Sequence, residues 1–305
     1  MSAIKNILLQ FDTDPAASSF DAVVAMDSGV DTLLQYPSIR SDNLIGLVHG
    51  AMFTRGPSKL RHTAIFVGGS NIEAAEQIYQ QVLASFFGPV RVSVVMDANG
   101  CNTTSVAAVE SGFSGLWLLG DMVHDETKPI RALVMGGTGP VGQRIASLLL
   151  DRGCHVVLHS RSAEKAGAIA GRLCQGSPNA EIESLSKTGA ELNLELPRFD
   201  LVFNAGAAGV QTLDEEAMAV LAQSRGVIVD LNAVPPAGIS GIAAHDHAKP
   251  MGQRLGYGAL AVGGIKMKLH RAVIHACFRA NDREFNLREI AALSTNLMTT
   301  EPGAC

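Results

Sequence analysis

Short apolar runs closed by polar or glycine-rich turns alternate along the chain with longer stretches of helical spacing. Residues 4–11 form an apolar run stopped by Asp12-Thr13-Asp14-Pro15, a strand and its loop. Phe20, Val23, Val24 and Met26 then gather on one side of a helix predicted over 18–28. A second strand is predicted at 63–67, stopped by Gly68-Gly69. Residues 71–87 carry Ile72, Ala75, Ile78, Val82 and Leu83 at helical spacing, with Asn71 as N-cap and Glu73 in the first turn. A third strand, 90–96, leads into a polar loop over 97–104, and a helix of small residues is expected from Ser105.

The polar stretch 119–129 reads as a domain junction, because the pattern restarts after it: strand 130–135, glycine turn 136–142, helix 143–152, strand 155–159. Further strands are predicted at 201–204 and 226–231, and helices at 268–280 and 286–298. Strands separated by helical segments imply parallel βαβ units. The expected fold is therefore α/β in two domains. An N-terminal α/β domain covers 1–128 and binds substrate; a Rossmann-type parallel sheet covers 129–271; C-terminal helices over 272–305 pack back on the first domain.

Composition narrows the classes. The 305 residues are 47% hydrophobic and 17% charged, which excludes a largely disordered chain. A net charge of −5 without a basic run argues against nucleic acid or an anionic membrane as partner. No apolar run reaches the ~18 residues of a membrane span, and the N-terminus lacks the long apolar core of a secretory signal. Cys101, Cys154, Cys174, Cys277 and Cys305 never form C-x-x-C, as expected of reduced thiols without disulfide framework or metal site. A soluble cytoplasmic protein is expected.

Candidate chemistry sits at the ends of the predicted strands. Gly137-Thr138-Gly139-Pro140-Val141-Gly142 is G-x-G-x-x-G between a strand and a helix, the context of a dinucleotide site. Gly137 would permit the tight turn, Gly139 the approach of the pyrophosphate, and Gly142 the close packing of helix on strand. The next strand ends in Ser160-Arg161 with no carboxylate for a ribose 2′-hydroxyl. Arg161 and Ser160, with Lys165 further on, suit a 2′-phosphate, which favours NADP over NAD. The loops containing Ala205, Gly206 and Asn232 end further strands and are expected to face the same cofactor.

In the first domain Asp97, Asn99, Asn102 and Thr103 could read a polar heterocycle, or simply cap the following helix. The glycine-rich stretch 256–268 ends in Lys266 and Lys268. Gly263-Gly264 would let a lysine approach a ligand; alternatively the two lysines open an amphipathic helix.

Several motifs together resemble one family. They are Phe11-Asp12-Thr13-Asp14, Phe66-Val67-Gly68-Gly69, Phe86-Phe87-Gly88-Pro89, Asp97-x-Asn99-Gly100-x-Asn102-Thr103-Thr104, Asn232-Ala233-x-Pro235-Pro236 and Gly263-Gly264-x-Lys266-x-Lys268-Leu269-His270-Arg271. The chain resembles the NAD(P)-dependent methylene-tetrahydromethanopterin/methylene-tetrahydrofolate dehydrogenases of bacterial one-carbon metabolism. The resemblance implies oxidation of the methylene carrier to its methenyl form by direct hydride transfer, with no strong general base. It also implies Lys266 as an active-site residue, Asp21 at the pterin, and a homo-oligomer, a trimer or dimer of trimers. It leaves the choice between tetrahydromethanopterin and tetrahydrofolate open. A shikimate/quinate-type or other NADP oxidoreductase, and a sensor that holds NADP without turnover, share the nucleotide features.

Overall fold

The computed structural model describes residues 4–120, 129–175, 181–232, 234–236 and 238–300. The chain divides into two compact units, 1–103 with 266–305, and 104–265.

In the first unit, β1 (Ile7–Asp12), α1 (Ser19–Asp27), β2 (Thr32–Tyr36), α2 (Leu44–Phe53), β3 (Thr63–Gly68), α3 (Ile72–Ala84) and β4 (Ser93–Met96) lead into α4 (Cys101–Leu118). Ser18 caps α1, its Oγ accepting from Asp21 N at 3.2 Å, and Asn71 caps α3, its Oδ1 accepting from Ala74 N at 3.0 Å. Apolar residues of β1, β3 and β4 and the inward faces of α2 and α3 form the core, including Phe11, Leu44, Met52, Ile65, Tyr79 and Val94.

The second unit continues with β5 (Arg131–Met135), α5 (Pro140–Asp151), β6 (His155–His159), α6 (Ala163–Gln175), β7 (Ile182–Leu185), α7 (Gly189–Asn193), β8 (Leu201–Asn204), α8 (Glu215–Leu221), β9 (Gly226–Asp230), β10 (Lys249–Met251) and β11 (Arg254–Tyr257). Then α9 (Ala259–Cys277) returns the chain to the first unit, where β12 (Glu284–Phe285) and α10 (Leu287–Thr300) complete it.

The first sheet has the order β12-β4-β3-β1-β2 with every pair parallel. The second has the order β10-β11-β9-β8-β5-β6-β7, parallel except at β10. Read from β7 to β11, that is the doubly wound order of dinucleotide-binding sheets. β8 and β9 are buried along their whole length and β5 from Ala132 on, and all three are mainly apolar up to the polar residues Asn204 and Asp230 at their carboxyl ends, as strands covered on both faces are.

The unit boundaries fall inside α4 and α9 rather than at 128/129 and 271/272. The expected junction at 119–129 lies mostly outside the described residues, which end at 120 and resume at 129. The physical reason is the small-residue face of α4. A Cβ on Gly112 would meet Phe203 at 2.9 Å, and one on Gly115 would meet Val227 at 2.8 Å. Most of that helix is thus seated on the second sheet. Residues 272–300 of the expected C-terminal helices lie in the first unit. Their first helix starts at Ala259 rather than at 268, so most of the glycine-rich stretch is helical and the two lysines lie inside the helix rather than at its start. Among the described residues no helix is long and apolar enough to cross a membrane.

Candidate functional site

At the carboxyl edge of the second sheet the turn after β5 is built from glycine out of necessity. Gly136 is the residue with positive φ (66°), and a Cβ there would meet the Ala205 carbonyl at 2.6 Å. The tight-turn role expected of Gly137 therefore belongs one residue earlier. Gly137 is confined for a different reason: its Cβ would meet Leu158 at 2.7 Å. On Gly142 a Cβ would meet Gly136 O at 2.5 Å, the close packing the fingerprint requires. Gly139 differs, since its Cβ would meet only Gly136 O at 3.3 Å. It is the N-cap of α5, with Pro140 in the first turn. The first-turn N–H groups of Val141 and Gly142 have no acceptor within the helix, and the helix dipole favours an anion there. Gln143 Nε2 donates to Thr138 O at 2.8 Å and holds the turn from behind. These residues fit a dinucleotide pyrophosphate.

The tip of β6 carries His159, buried with Nε2 2.8 Å from Lys187 O, then Ser160 and Arg161. Ser160 Oγ accepts from Ser162 N at 3.2 Å, and Ser162 Oγ accepts from Lys165 N at 3.3 Å. Arg161 and Lys165 are exposed, and neither has an ion-pair partner among the described residues. A basic, hydroxyl-bearing loop is thus held by its own serines.

The next two loops share one buried network. Asn204 Nδ2 donates to Asp230 Oδ1 at 2.7 Å, and Asp230 also accepts from Asn232 N and Ile239 N at 3.0 and 2.8 Å. Burial pushes the Asp230 carboxyl above its usual range, against those three donors. Asn232 Oδ1 accepts from Gly209 N and Val234 N at 3.2 and 3.0 Å. Asn232, expected to touch the cofactor, has its side chain engaged in shaping this loop, while Ala205 and Gly206 are part-exposed beside Gly136. Ala233 lies outside the described residues.

The first unit makes its carboxyl edge from side chains. Asp12, fully buried at the end of β1, accepts from Asp14 N and Ser18 N, both at 2.9 Å. Asp14 in turn accepts from Ser70 N and Oγ at 2.9 and 2.8 Å, tying the β1 loop to the β3 loop. Asp97, fully buried after β4, accepts from Asn102 N, Thr103 N and Thr103 Oγ1 at 2.9, 3.0 and 2.6 Å. Asn102 Nδ2 donates to Met96 O at 2.7 Å. Of the four loop residues expected at substrate, Asp97, Asn102 and Thr103 are thus buried and bonded to their own loop and α4, as the capping alternative requires. Asn99 alone is exposed, with φ 50°.

Beside these two locked carboxylates lies a third that is not locked. Asp21 on α1 is buried, and its carboxyl is met by the Ser18 hydroxyl. Burial raises it to about 6, Asp97 and Asp12 push the same way, and the Ser18 hydrogen bond and Lys266 oppose them. Lys266 and His270 follow on α9 four residues apart, hence on one face. Lys266 Nζ stands 4.8 Å over the Phe20 ring. His270 is fully buried, stacked on Phe66 with centroids 5.6 Å apart and 21° between planes, and its Nε2 is 3.9 Å from Asp21 Oδ1. Among the described residues neither ring nitrogen has a hydrogen-bond partner, and leaving such a buried polar group unpaired costs about 1–3 kcal/mol. Burial holds the imidazole below its usual range. Lys268 is exposed on another face. Gly263 and Gly264, expected to let a ligand approach, are helical, and a Cβ on either would meet nothing within 4 Å.

His270 was not singled out from the sequence as a site residue. Its usable signal is the i,i+4 spacing from Lys266, which a helix predicted to start at 268 leaves out.

Comparison with known proteins follows the same two-part division. A family model described as methylene-tetrahydromethanopterin dehydrogenase, N-terminal, matches residues 19–99. A model described as shikimate/quinate 5-dehydrogenase matches residues 119–249. The bifunctional protein MdtA of Methylorubrum extorquens is 39% identical over 299 residues, covering 96% of this chain and 99% of its own. The NAD(P)-dependent methylenetetrahydromethanopterin dehydrogenase of the same organism is 30% identical over 252 residues, covering 82% of this chain and 84% of its own. Among solved structures, quinate dehydrogenase from Corynebacterium glutamicum in complex with NAD matches at TM-score 0.52 and 13% identity, covering 95% of this chain and 99% of its own, a likeness of fold.

Proposed function

Because the chain belongs to the methylene-tetrahydromethanopterin dehydrogenase family, we propose that it oxidises methylene-tetrahydromethanopterin to the methenyl form with NADP as acceptor. It is an oxidoreductase that uses a nicotinamide cofactor. The observation that carries the reading beyond the family is the Asp21–Lys266–His270 cluster at the carboxyl edge of the first sheet, where parallel α/β sheets present ligands.

A bound nicotinamide would supply the hydride acceptor for the methylene carbon, whose two flanking nitrogens would share the resulting positive charge. The protein's own work is positioning and electrostatics. Gly136 to Gly142 and the start of α5 hold the phosphates, with Gly137, Thr138, Gly139, Pro140 and Val141 forming the turn. Ser160, Arg161 and Lys165 hold the 2′-phosphate, while Ala205 and Gly206 flank the ribose and Asn232 keeps the adjoining loop in shape. Lys266 hydrogen-bonds a carbonyl or ring nitrogen of the pterin and orients it. Asp21 supplies negative charge to a substrate becoming cationic and offsets Lys266. Asp97 belongs to this proposal as a fixed charge behind them. Asn102 and Thr103 hold it in place, and exposed Asn99 touches the substrate directly. No group here needs to remove a proton from substrate.

A cytoplasmic homo-oligomer, trimer or dimer of trimers, is part of the same proposal. The exposed rings of Phe53 and Phe87, grouped with half-buried His49 at centroid distances of 5.4–5.9 Å, support it, and light scattering tests it.

The deciding experiment mixes purified protein with methylene-tetrahydromethanopterin and NADP, then NAD, and follows absorbance at 340 nm. Reduction of NADP well ahead of NAD is expected. No reduction of either cofactor would overturn the reading. Methylene-tetrahydrofolate in the same assay sets the breadth of carrier use.

A further inference from the structure

The buried imidazole of His270 has no assigned task. Its ring is fixed by stacking on Phe66 at 5.6 Å and by Phe20, tilted at 6.4 Å; the same Phe20 ring carries Lys266 Nζ at 4.8 Å. Its Nε2 lies 3.9 Å from Asp21 Oδ1, and among the described residues both buried ring nitrogens are without a hydrogen-bond partner. A movement of about 1 Å would bring Nε2 and Oδ1 to hydrogen-bond distance. Asp12 is held by two backbone donors and Asp97 by two backbone donors and a hydroxyl, whereas Asp21, met by the Ser18 hydroxyl, is the carboxylate that His270 Nε2 faces.

Resting on the function proposed above, we propose that His270 is the positioning residue for Asp21: its Nε2–H donates to the Asp21 carboxylate and keeps it ionised and aimed at the pterin while hydride leaves. A neutral imidazole suits this role, because a cation beside Lys266 would repel the developing methenyl charge. Burial and Lys266 both favour that neutral form, with Asp97 opposing. The charged or titratable groups facing the pair are Asp12 at the end of β1, Asp97 after β4 and Lys266 on α9. None of these is positioned to donate a hydrogen bond to Asp21 among the bonds described, apart from the Ser18 hydroxyl on its own helix cap.

The test uses the full-length protein and His270→Phe, which keeps the stack and removes the donor. A donor to the charged form lowers a carboxyl's pKa, so its loss raises it. In a carbon-13 NMR titration, with Asp21 assigned from Asp21→Asn, the midpoint should rise by about one pH unit. The acid limb of kcat/KM should move up with it. The kcat should fall about tenfold, with KM for NADP within about twofold of wild type, since the change concerns the transition state rather than nucleotide binding. His270→Gln, which restores an N–H donor, should recover most of both effects. An unmoved Asp21 midpoint, or a glutamine variant no better than phenylalanine, would overturn the proposal. If His270→Phe does not fold, the wild-type imidazole nitrogen-15 shifts decide. An Nε2–H tautomer sensitive to Asp21→Asn supports the pairing; an Nδ1–H tautomer or an insensitive shift refutes it. The titration needs no substrate, so a failure of the proposed reaction would show separately in the wild-type assay.

Discussion

The carboxyl edges of the two sheets solve opposite problems. In the second unit a buried carboxylate, Asp230, has three donors, and the turn beside it is shaped by glycines whose added Cβ atoms would collide with backbone. In the first unit Asp21 is also buried but has the Ser18 hydroxyl in place of three donors, and among the described residues its neighbour His270 has no hydrogen-bond partner. One edge is satisfied and rigid, suited to an invariant ligand such as a nucleotide phosphate. The other stores unsatisfied charge, suited to a substrate whose charge changes during reaction. Buried polar groups left unpaired are destabilising, so the pairing of an unpartnered imidazole with a raised carboxyl beside Lys266 marks where chemistry is placed.

The rigid edge should break most sharply. Gly136→Val forces a β-branched residue to φ 66° and a Cβ to within 2.6 Å of the Ala205 carbonyl. We expect a loss of about 4 kcal/mol or more, combining left-handed strain with overpacking, seen in denaturant unfolding together with lost NADP binding. Gly139→Ala, whose Cβ has one contact at 3.3 Å, should keep its stability and weaken NADP alone. Equal destabilisation by both would remove the distinction between the glycines.

The responsive edge should gain stability when disarmed. Asp21 sits at about 6 in the folded chain against 3.8 unperturbed, so the folded state holds its proton more tightly than the unfolded. The benefit is present below pH 3.8 and is lost as pH rises through 6. At about 1.4 kcal/mol per unit, ionised Asp21 costs about 3 kcal/mol at pH 8. Asp21→Asn should therefore match wild type near pH 3.5 and exceed it by up to that amount at pH 8, with roughly half the gain developing above pH 5. The same variant should be poorly active. A stability difference flat across pH would mean that Asp21 carries no such burden.

The same contrast explains what the sequence disclosed. The nucleotide edge was legible because its constraints are local: strand, glycine turn, helix and a basic tip all lie within about 30 residues. Even there, the residue at positive φ was misplaced by one, since G-x-G-x-x-G does not say which glycine bears the turn. The edge strand β2, with no fully buried residue, offered too weak an alternation to be read. The first-unit cluster was mostly illegible, because Asp21 and His270 are 249 positions apart in number and meet only through packing of α1 on the far end of α9. Asp21 entered by resemblance alone and Lys266 by the glycines before it as well, and the polar loop at 97–104 stands out by composition while its buried members serve as scaffold.

Lys266 measures how much the responsive edge does for catalysis. It shares a helix face with His270, whereas Lys268, about 200° further round the helix, is exposed. Lys266→Ala should lower kcat/KM by about 10²-fold, near 2.7 kcal/mol, the scale of a lost positioning group. Lys268→Ala should stay within about threefold. Equal, mild losses would mean both lysines only solvate α9.

The smallest effect probes the rigid edge at its one soft point, the exposed tip after β6. Arg161 has no ion-pair partner among the described residues, and the loop around it is held by Ser160 and Ser162. Its charge is therefore available to a ligand without a competing acid. A charge-assisted hydrogen bond contributes about 1.5–3 kcal/mol, so Arg161→Asp should raise the KM for NADP at least tenfold. The new carboxylate can accept from a ribose 2′-hydroxyl, so the KM for NAD should hold or fall. Because Arg161 is exposed, added salt should shrink the wild-type preference by screening the same contact. A variant that weakens both cofactors equally would place Arg161 at a phosphate they share. The discrimination would then have to come from Lys165, whose replacement by alanine is the companion measurement.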